Sequence, residues 1–542
     1  MMKRRGLALA VLAVAGCTRG GSQPAVGRPR LDGLVAEQTL GKDVTAEVRS
    51  WNSAAFAAPA TSFRAGSAHP RQLDTAALTK VGSGFSIKLP SGAPVLSPAV
   101  YGGLVITPGG FHSRELYAFE ASTGKLAWAI DLDDDGPSAP ACEDGVCVIN
   151  TESCTLFAVE ARTGKLLWSW WLGDPLMSSP TIAGGKVFTA YPAGVGVVGG
   201  QNQNLNNANG MNGSWGNVTP SVPVPPQPAS GASATREVVG VARPRPPGQS
   251  HAMAAFDLHT GKLLWQRWID ADVMSAPVAA GGELYATSFA GTVYRFDPAS
   301  GDIKSARRAR ATSAPVVVGG QVYFSQRAEG SAEESLVAQD ARSAKAYWSA
   351  ERRAAPYLAR EVQARSSLAS KGAQLDSANG FSGGAPASAN AEVAALLIGQ
   401  ANVSTLQSFQ GSRMLSFRGA NITTMGDEVV ATDGRTGQRR WAYKLSGDAA
   451  KSGGHLGPPP LAAGNKILVA TLEGEIQVVN PKTGKVERRF AVGSPIRSQP
   501  VVSHGWIYVG TEDGKLVAID TGDKSLTGWP MWGKNAAREG AI

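Results

Sequence analysis

Short apolar runs alternate with glycine-rich corners along most of this chain. Ser275-Ala-Pro-Val-Ala-Ala-Gly-Gly-Glu-Leu-Tyr285 and Ser313-Ala-Pro-Val-Val-Val-Gly-Gly-Gln-Val-Tyr323 show one half of the pattern: a Pro-led apolar run, a Gly-Gly turn and a second run. The other half is an apolar run, a polar corner and a run ending near a tryptophan. Runs this short, rich in β-branched and aromatic residues and bounded by turn residues, predict strands. Four in succession predict one four-stranded antiparallel sheet, with strands a, b, c and d in chain order.

The c–d corner repeats most clearly. Ala118-Phe-Glu-Ala-Ser-Thr-Gly-Lys-Leu-Ala-Trp128, Ala158-Val-Glu-Ala-Arg-Thr-Gly-Lys-Leu-Leu-Trp168 and Ala255-Phe-Asp-Leu-His-Thr-Gly-Lys-Leu-Leu-Trp265 share one spacing. Degenerate copies carry Asp297 with Gly301, Asp340 with Trp348, Asp433 with Gly437 and Trp441, and Asn480 with Gly484; Asp520 marks an eighth that departs after the acid. The acid can accept backbone N–H groups across the turn, and Gly124, Gly164, Gly261, Gly301, Gly437 and Gly484 supply the positive φ that a hairpin bulge needs. Gly124 to Gly164 and Gly261 to Gly301 are each 40 residues apart, and Gly437 to Gly484 is 47. That is the length of a propeller blade. A lone small sheet cannot bury both faces, whereas a ring of sheets can. The fold class is therefore all-β: an eight-bladed β-propeller. Asp520 is followed by no clear d strand, and Phe85-Ser-Ile-Lys-Leu89 precedes the first Pro-led run, so strand 85–89 is expected to pair with the C-terminal blade and close the ring.

The Ala-x-Asp/Glu-x-x-Thr-Gly-Lys-x-x-Trp register resembles the propeller repeat of pyrroloquinoline-quinone dehydrogenases and of their cofactor-free relatives, among them the lipoprotein subunit of the outer-membrane barrel-assembly machinery. The resemblance covers roughly residues 84–533. It implies that Trp128, Trp168, Trp265, Trp348 and Trp441 dock each blade on its neighbour. Ser305 and Arg488 take that place in blades 4 and 7, where weaker docking is expected. The dehydrogenases often set a disulfide of adjacent cysteines against the cofactor. Cys17, Cys142, Cys147 and Cys154 contain no adjacent pair, and no acidic or histidine set has metal-ligand spacing. No cofactor, metal or catalytic residue is expected.

The N-terminus adds a compartment. Lys3, Arg4 and Arg5 precede a short apolar run that ends in small residues before Cys17. This predicts a signal peptide over 1–16. Leu12-Ala-Val-Ala-Gly-Cys17 resembles a bacterial lipobox, which implies lipidation of Cys17 and anchoring in the cell envelope, with the outer membrane favoured. The net charge of +9 falls to +6 without that signal, and the excess suits anionic lipid rather than nucleic acid. Residues 17–83 read as anchor and mostly flexible tether, 84–533 as the propeller, and 534–542 as a C-terminal tail. Insertions at 193–250, rich in Asn, Gly and Pro, and at 354–403 both fall on b–c or d–a connections and so on one end of the ring. Tyr357–Leu368 is a candidate helix, and Ser404–Gln410 is expected as strand a of blade 6.

An oxidising compartment permits disulfides. Cys142 and Cys147 would face each other across a two-residue Asp144-Gly145 turn; Cys147 with Cys154 is the competing pairing, and free buried thiols are the third possibility. The arginine pairs 307–308, 352–353, 439–440 and 488–489 form either a basic rim or charges that guard outer strand edges. The expected function is a non-catalytic lipid-anchored scaffold for envelope proteins, with outer-membrane protein assembly the implied setting and no small-molecule substrate identified. A quinone-dependent dehydrogenase and an envelope glycan- or lipid-binding module are the alternatives.

Overall fold

The computed structural model describes residues 41–53, 69–111, 113–134, 136–151, 155–172, 178–192, 249, 251–328, 333–354, 414–449, 451–452 and 455–539. These form eight antiparallel sheets; in seven the four-strand core is consecutive in the chain, and in the eighth three C-terminal strands are joined by one from before the first blade. Blade 2 shows the plan: strand a is Ala141–Glu143, b Val146–Asn150, c Thr155–Glu160 and d Leu166–Trp171, hydrogen-bonded in that order. Strand b is buried along its whole length, as expected of a sheet covered on both faces by neighbours. Apolar residues such as Val148, Phe157 and Ile182 form a core that continues from blade to blade.

The ring closes as expected. Gly84–Lys88 pairs antiparallel with Lys515–Asp520, with Phe85 opposite Ala518 and Ile87 opposite Leu516. Phe85, Ile87 and Leu516 are buried in one cluster with Tyr117 and Phe119 of blade 1, so this strand seals the last blade against the first.

In blades 1 to 7 the c–d pair carries a register shift just before the turn acid or Asn, as at Ala255/Phe256, while the closing strand of blade 8 pairs without one. The shift is the bulge that the repeat glycine accommodates; Gly261 sits at φ +69°. Asp257 Oδ1 accepts the N–H groups of His259 and Thr260 at 3.2 and 2.8 Å and the Thr260 hydroxyl at 2.7 Å. The c–d and a–b corners of a blade are bonded together: Ala161 N–H donates to Gly145 O at 2.8 Å, and Leu258 N–H to Gly185 O at 2.9 Å. All such corners therefore share one end of the ring, and the b–c and d–a connections emerge at the other.

Three readings change. The segment read as mostly tether contains two pieces laid on outer strand edges. Lys42–Asp43 pairs with Arg307 and Arg308 of blade 4, and helix Thr45–Trp51 packs Val48 into the core between blades 3 and 4. His69–Pro70 pairs with strand d of blade 1, and Leu78–Val81 with the closing strand. Outer edges offer unpaired N–H and C=O groups, and even a two-residue strand can satisfy some of them. Second, strand a of blade 6 is Leu415–Phe417, turned by Arg418-Gly419 into Ala420–Met425; Ser404–Gln410 lies outside the described residues. Third, residues 534–539 are not a tail outside the ring. Arg538 is fully buried, and Ala536 and Ala537 accept hydrogen bonds from Ile182 and Ala279, in the innermost strands of blades 3 and 4. The signal segment, Cys17, Cys154, the candidate helix 357–368 and nearly all of both insertions also lie outside the described residues.

Candidate functional site: blade junctions and the ring axis

Every tryptophan of the repeat does the same thing. Its ring packs on the turn glycine of the next blade, and its Nε1–H donates to the carbonyl one residue after that turn's acid or Asn. Trp128 bonds Ala161 at 3.1 Å, Trp168 bonds Leu258 at 2.8 Å, Trp265 bonds Pro298 at 3.1 Å, Trp348 bonds Gly434 at 3.1 Å, and Trp441 bonds Pro481 at 2.9 Å. The glycines are required twice over, by positive φ and by contact: a Cβ at Gly164 would fall 2.7 Å from the Trp128 ring, and one at Gly301 2.5 Å from Trp265. Gly261, Gly437 and Gly484 meet Trp168, Trp348 and Trp441 in the same way, while Gly124 meets Phe85 of the closing strand.

The remaining junctions use other donors. Tyr508 of blade 8 donates to Ala121 O at 2.8 Å. Arg488, in the tryptophan place of blade 7, donates to Thr521 O at 2.9 Å, with its guanidinium 4.3 Å from the Phe490 ring centre. Weaker docking was expected there; a charged donor keeps the hydrogen bond.

Blade 4 to blade 5 is different. Ser305 faces a cleft of about 220 Å³ lined by Tyr285, Arg295, Gln339, Arg342 and Ala344 among others. Ser305 pairs across the strand with Arg295. In blades 1, 2, 3, 5 and 6 the corresponding cross-strand pair is Ala with Trp. Large and small have thus exchanged strands in blade 4. Arg295 was missed by reading for tryptophans alone, although aligning the residue two before each turn acid exposes it.

The axis is occupied from the corner end. Thr527 and Leu526 accept hydrogen bonds from Gly464 and Gly505, Trp529 and Val502 exchange a pair, and Pro530 accepts from Val100. The chain then turns inward. Trp532 packs against Ala139 and Ala276, which lead into the innermost strands of blades 2 and 4. The Arg538 guanidinium stacks 4.6 Å from the Trp532 ring centre and donates to Trp532 O at 2.6 Å, Ala139 O at 3.2 Å and Pro180 O at 3.3 Å. Gln499 joins in, accepting from Trp529 Nε1 and Gly533 N–H at 3.1 Å each. No repeat signature marks Trp532 or Arg538.

Cys142 and Cys147 form a disulfide across strands a and b of blade 2, with Cα atoms 4.1 Å apart. Asp144 and Gly145 both have positive φ, the two-residue turn of a tight hairpin. Most of the paired arginines have local partners: Arg308 with Glu47 at 3.0 Å, Arg440 with Asp433 at 2.7 Å, Arg489 with Glu475 at 3.5 Å and Arg353 with Glu428. Among the described residues no group of three or more His, Cys, Asp or Glu could hold a metal ion.

The profile of one family, described as outer membrane protein assembly factor BamB, matches residues 72–306, 249–395 and 425–532, most of the chain. The chain belongs to the BamB family. Among solved structures it is similar to BamB from Moraxella catarrhalis, at 17% identity and a TM-score of 0.47, over 81% of this chain and 97% of that one. It is also similar to the quinohemoprotein alcohol dehydrogenase from Comamonas testosteroni, at 12% identity and a TM-score of 0.48, over 82% of this chain and 77% of that one. Comparison with curated proteins gives no match. Within the BamB family frame, the repeat tryptophans and glycines belong to the ring's own construction. Among the described residues, the cleft between blades 4 and 5 is a space that the repeat leaves unfilled.

Proposed function

We propose that this protein is a non-catalytic scaffold that holds partner proteins in the bacterial cell envelope during outer-membrane protein assembly, tethered by a lipid on Cys17. The family match over most of the chain carries this reading. The occupied axis supports it: Trp532 and Arg538 fill the centre of the ring with the protein's own side chains. A rigid ring with long connections at one end suits a docking platform. The partner is an envelope protein, and neither a small-molecule substrate nor a nucleic acid has a part in this reading. Crosslinking in intact envelopes, followed by identification of the captured proteins, tests it. Capture of outer-membrane assembly components is expected. Dye reduction with alcohols or sugars after loading with quinone and calcium would replace the scaffold with a dehydrogenase. Cys17→Ala is expected to move the protein from the membrane fraction to the soluble fraction.

A further inference from the structure

Several departures from the repeat meet at one place. At the blade 4–5 junction Ser305 stands for Trp, Arg295 for Ala, and Ala344 for Gly at φ +56°. Gln339 occupies the position that Phe119, Phe256 and Phe296 hold in blades 1, 3 and 4. At that position a buried polar amide replaces an apolar ring.

The resulting cleft has unmet polar demands of both kinds. Arg295 Nε is buried without a hydrogen-bond partner, and Gln339, more than nine-tenths buried, has an unpartnered Oε1. Among the described residues, the one hydrogen bond from Arg295 is a long one, 3.5 Å from Nη2 to Arg342 O. Among the described residues neither Arg295 nor Arg342 has a carboxylate within ion-pair distance. The nearby acids are engaged elsewhere: Asp43 with Arg307, Glu283 and Asp297 with Lys304, and Asp340 with its own turn. The cleft is far larger than one water needs. A buried donor and a buried acceptor left unpaired are each costly.

We propose that this cleft is a binding site for an amide-linked carboxylate, the group shared by a free N-acylated amino acid and a peptide C-terminus. Its carboxylate answers the Arg295 guanidinium, and its N–H answers Gln339 Oε1. Arg342 adds positive charge, and the Tyr285 hydroxyl is a further donor lining the same space. The proposal is independent of the scaffold reading.

The test uses the folded mature chain with ¹⁵N-labelled arginine, following Nε–H resonances during titration. The probes are N-acetylglycine, acetyl-tetraglycine with a free carboxylate, and acetyl-tetraglycine amide. The triple variant Arg295→Ala/Ser305→Trp/Ala344→Gly restores the repeat and fills the cleft, so it is expected to fold. Saturable shifts with an acid, at least about tenfold weaker with the amide and in the triple variant, support the site. If only acetyl-tetraglycine acid binds, the source is a polypeptide terminus; if only N-acetylglycine binds, it is a free small ligand. Equal binding of the amide, unchanged binding by the triple variant, or no saturation by either acid below about 10 mM overturns the proposal.

Discussion

The Trp168 ring lies so close to Gly261 of the next blade that a Cβ there would sit 2.7 Å from an indole carbon. Gly261→Ala therefore meets both a positive φ and a steric overlap. It is expected to cost about 2–4 kcal/mol, combining roughly 1 for the backbone and 1–3 for the overlap. Gly281→Ala, at φ +60° with nothing within 4 Å, should cost only about 1 kcal/mol. Thermal unfolding of the two variants side by side measures the difference.

Truncating the docking ring should be more severe. Trp168→Ala removes a buried indole and its bond to Leu258 O, and about 3–5 kcal/mol of destabilisation is expected. Arg488→Ala removes a charged hydrogen bond to Thr521 and the contact with Phe490, for which about 1.5–3 kcal/mol is the scale. Denaturant midpoints should rank the two in that order.

Acid should weaken the turns before it reaches the core. The N–H of Ser300, then the Lys304 ammonium, hold the Asp297 carboxyl down at about 2. The N–H and hydroxyl of Ser343, with the Tyr347 hydroxyl, hold Asp340 there as well. A carboxylate whose folded pKa is depressed stabilises the fold above its unfolded value, 3.8 here, and that contribution is lost as pH falls toward 2. Melting temperature against pH should fall in that window. It should fall less steeply in Asp297→Asn/Asp340→Asn, since Asn480 already forms the same kind of turn without titrating.

The disulfide closes a short loop, so reducing it should cost only about 2 kcal/mol on chain-entropy grounds. A thiol reductant is expected to lower the melting temperature of the native chain and to leave Cys142→Ala/Cys147→Ala unaffected.

The axial arginine should matter more than its distance from the repeats suggests. Arg538→Ala leaves the buried carbonyls of Trp532, Ala139 and Pro180 without this donor and should cost roughly 3 kcal/mol. Limited proteolysis is expected to release the C-terminal residues of that variant first.

Much of this was legible because one physical unit repeats. In Ala255 to Trp265, the acid, the glycine and the tryptophan each have a local reason for their spacing, and the copies confirm one another. Phe85–Leu89 could be assigned because a closed ring demands a partner for the last c strand. Where a segment lacked the repeat, pattern had nothing to act on. Lys42–Asp43 is too short to show alternation, and helix Thr45–Trp51 buries little besides Val48. Strand Leu415–Phe417 lacks the Ser-Ala-Pro leader of its counterparts, which drew the expectation to Ser404–Gln410. Trp532 and Arg538 contact residues from blades far apart in sequence. The cleft lay between these cases. Ser305 was visible as a missing tryptophan, but its meaning depended on Arg295, which enters from the neighbouring strand.

The pairing of Phe85 with Ala518 also carries a consequence for biogenesis. A nascent chain emerging from its N-terminus makes the closing strand early and its partner only near completion. Until then the closing strand, and later its partner Lys515–Asp520, keep an open margin able to recruit foreign strands. Loop-closure entropy over so long a separation makes this the slow contact. The half-made molecule is thus the hazardous species, and protection during folding is needed most just before the final blade arrives.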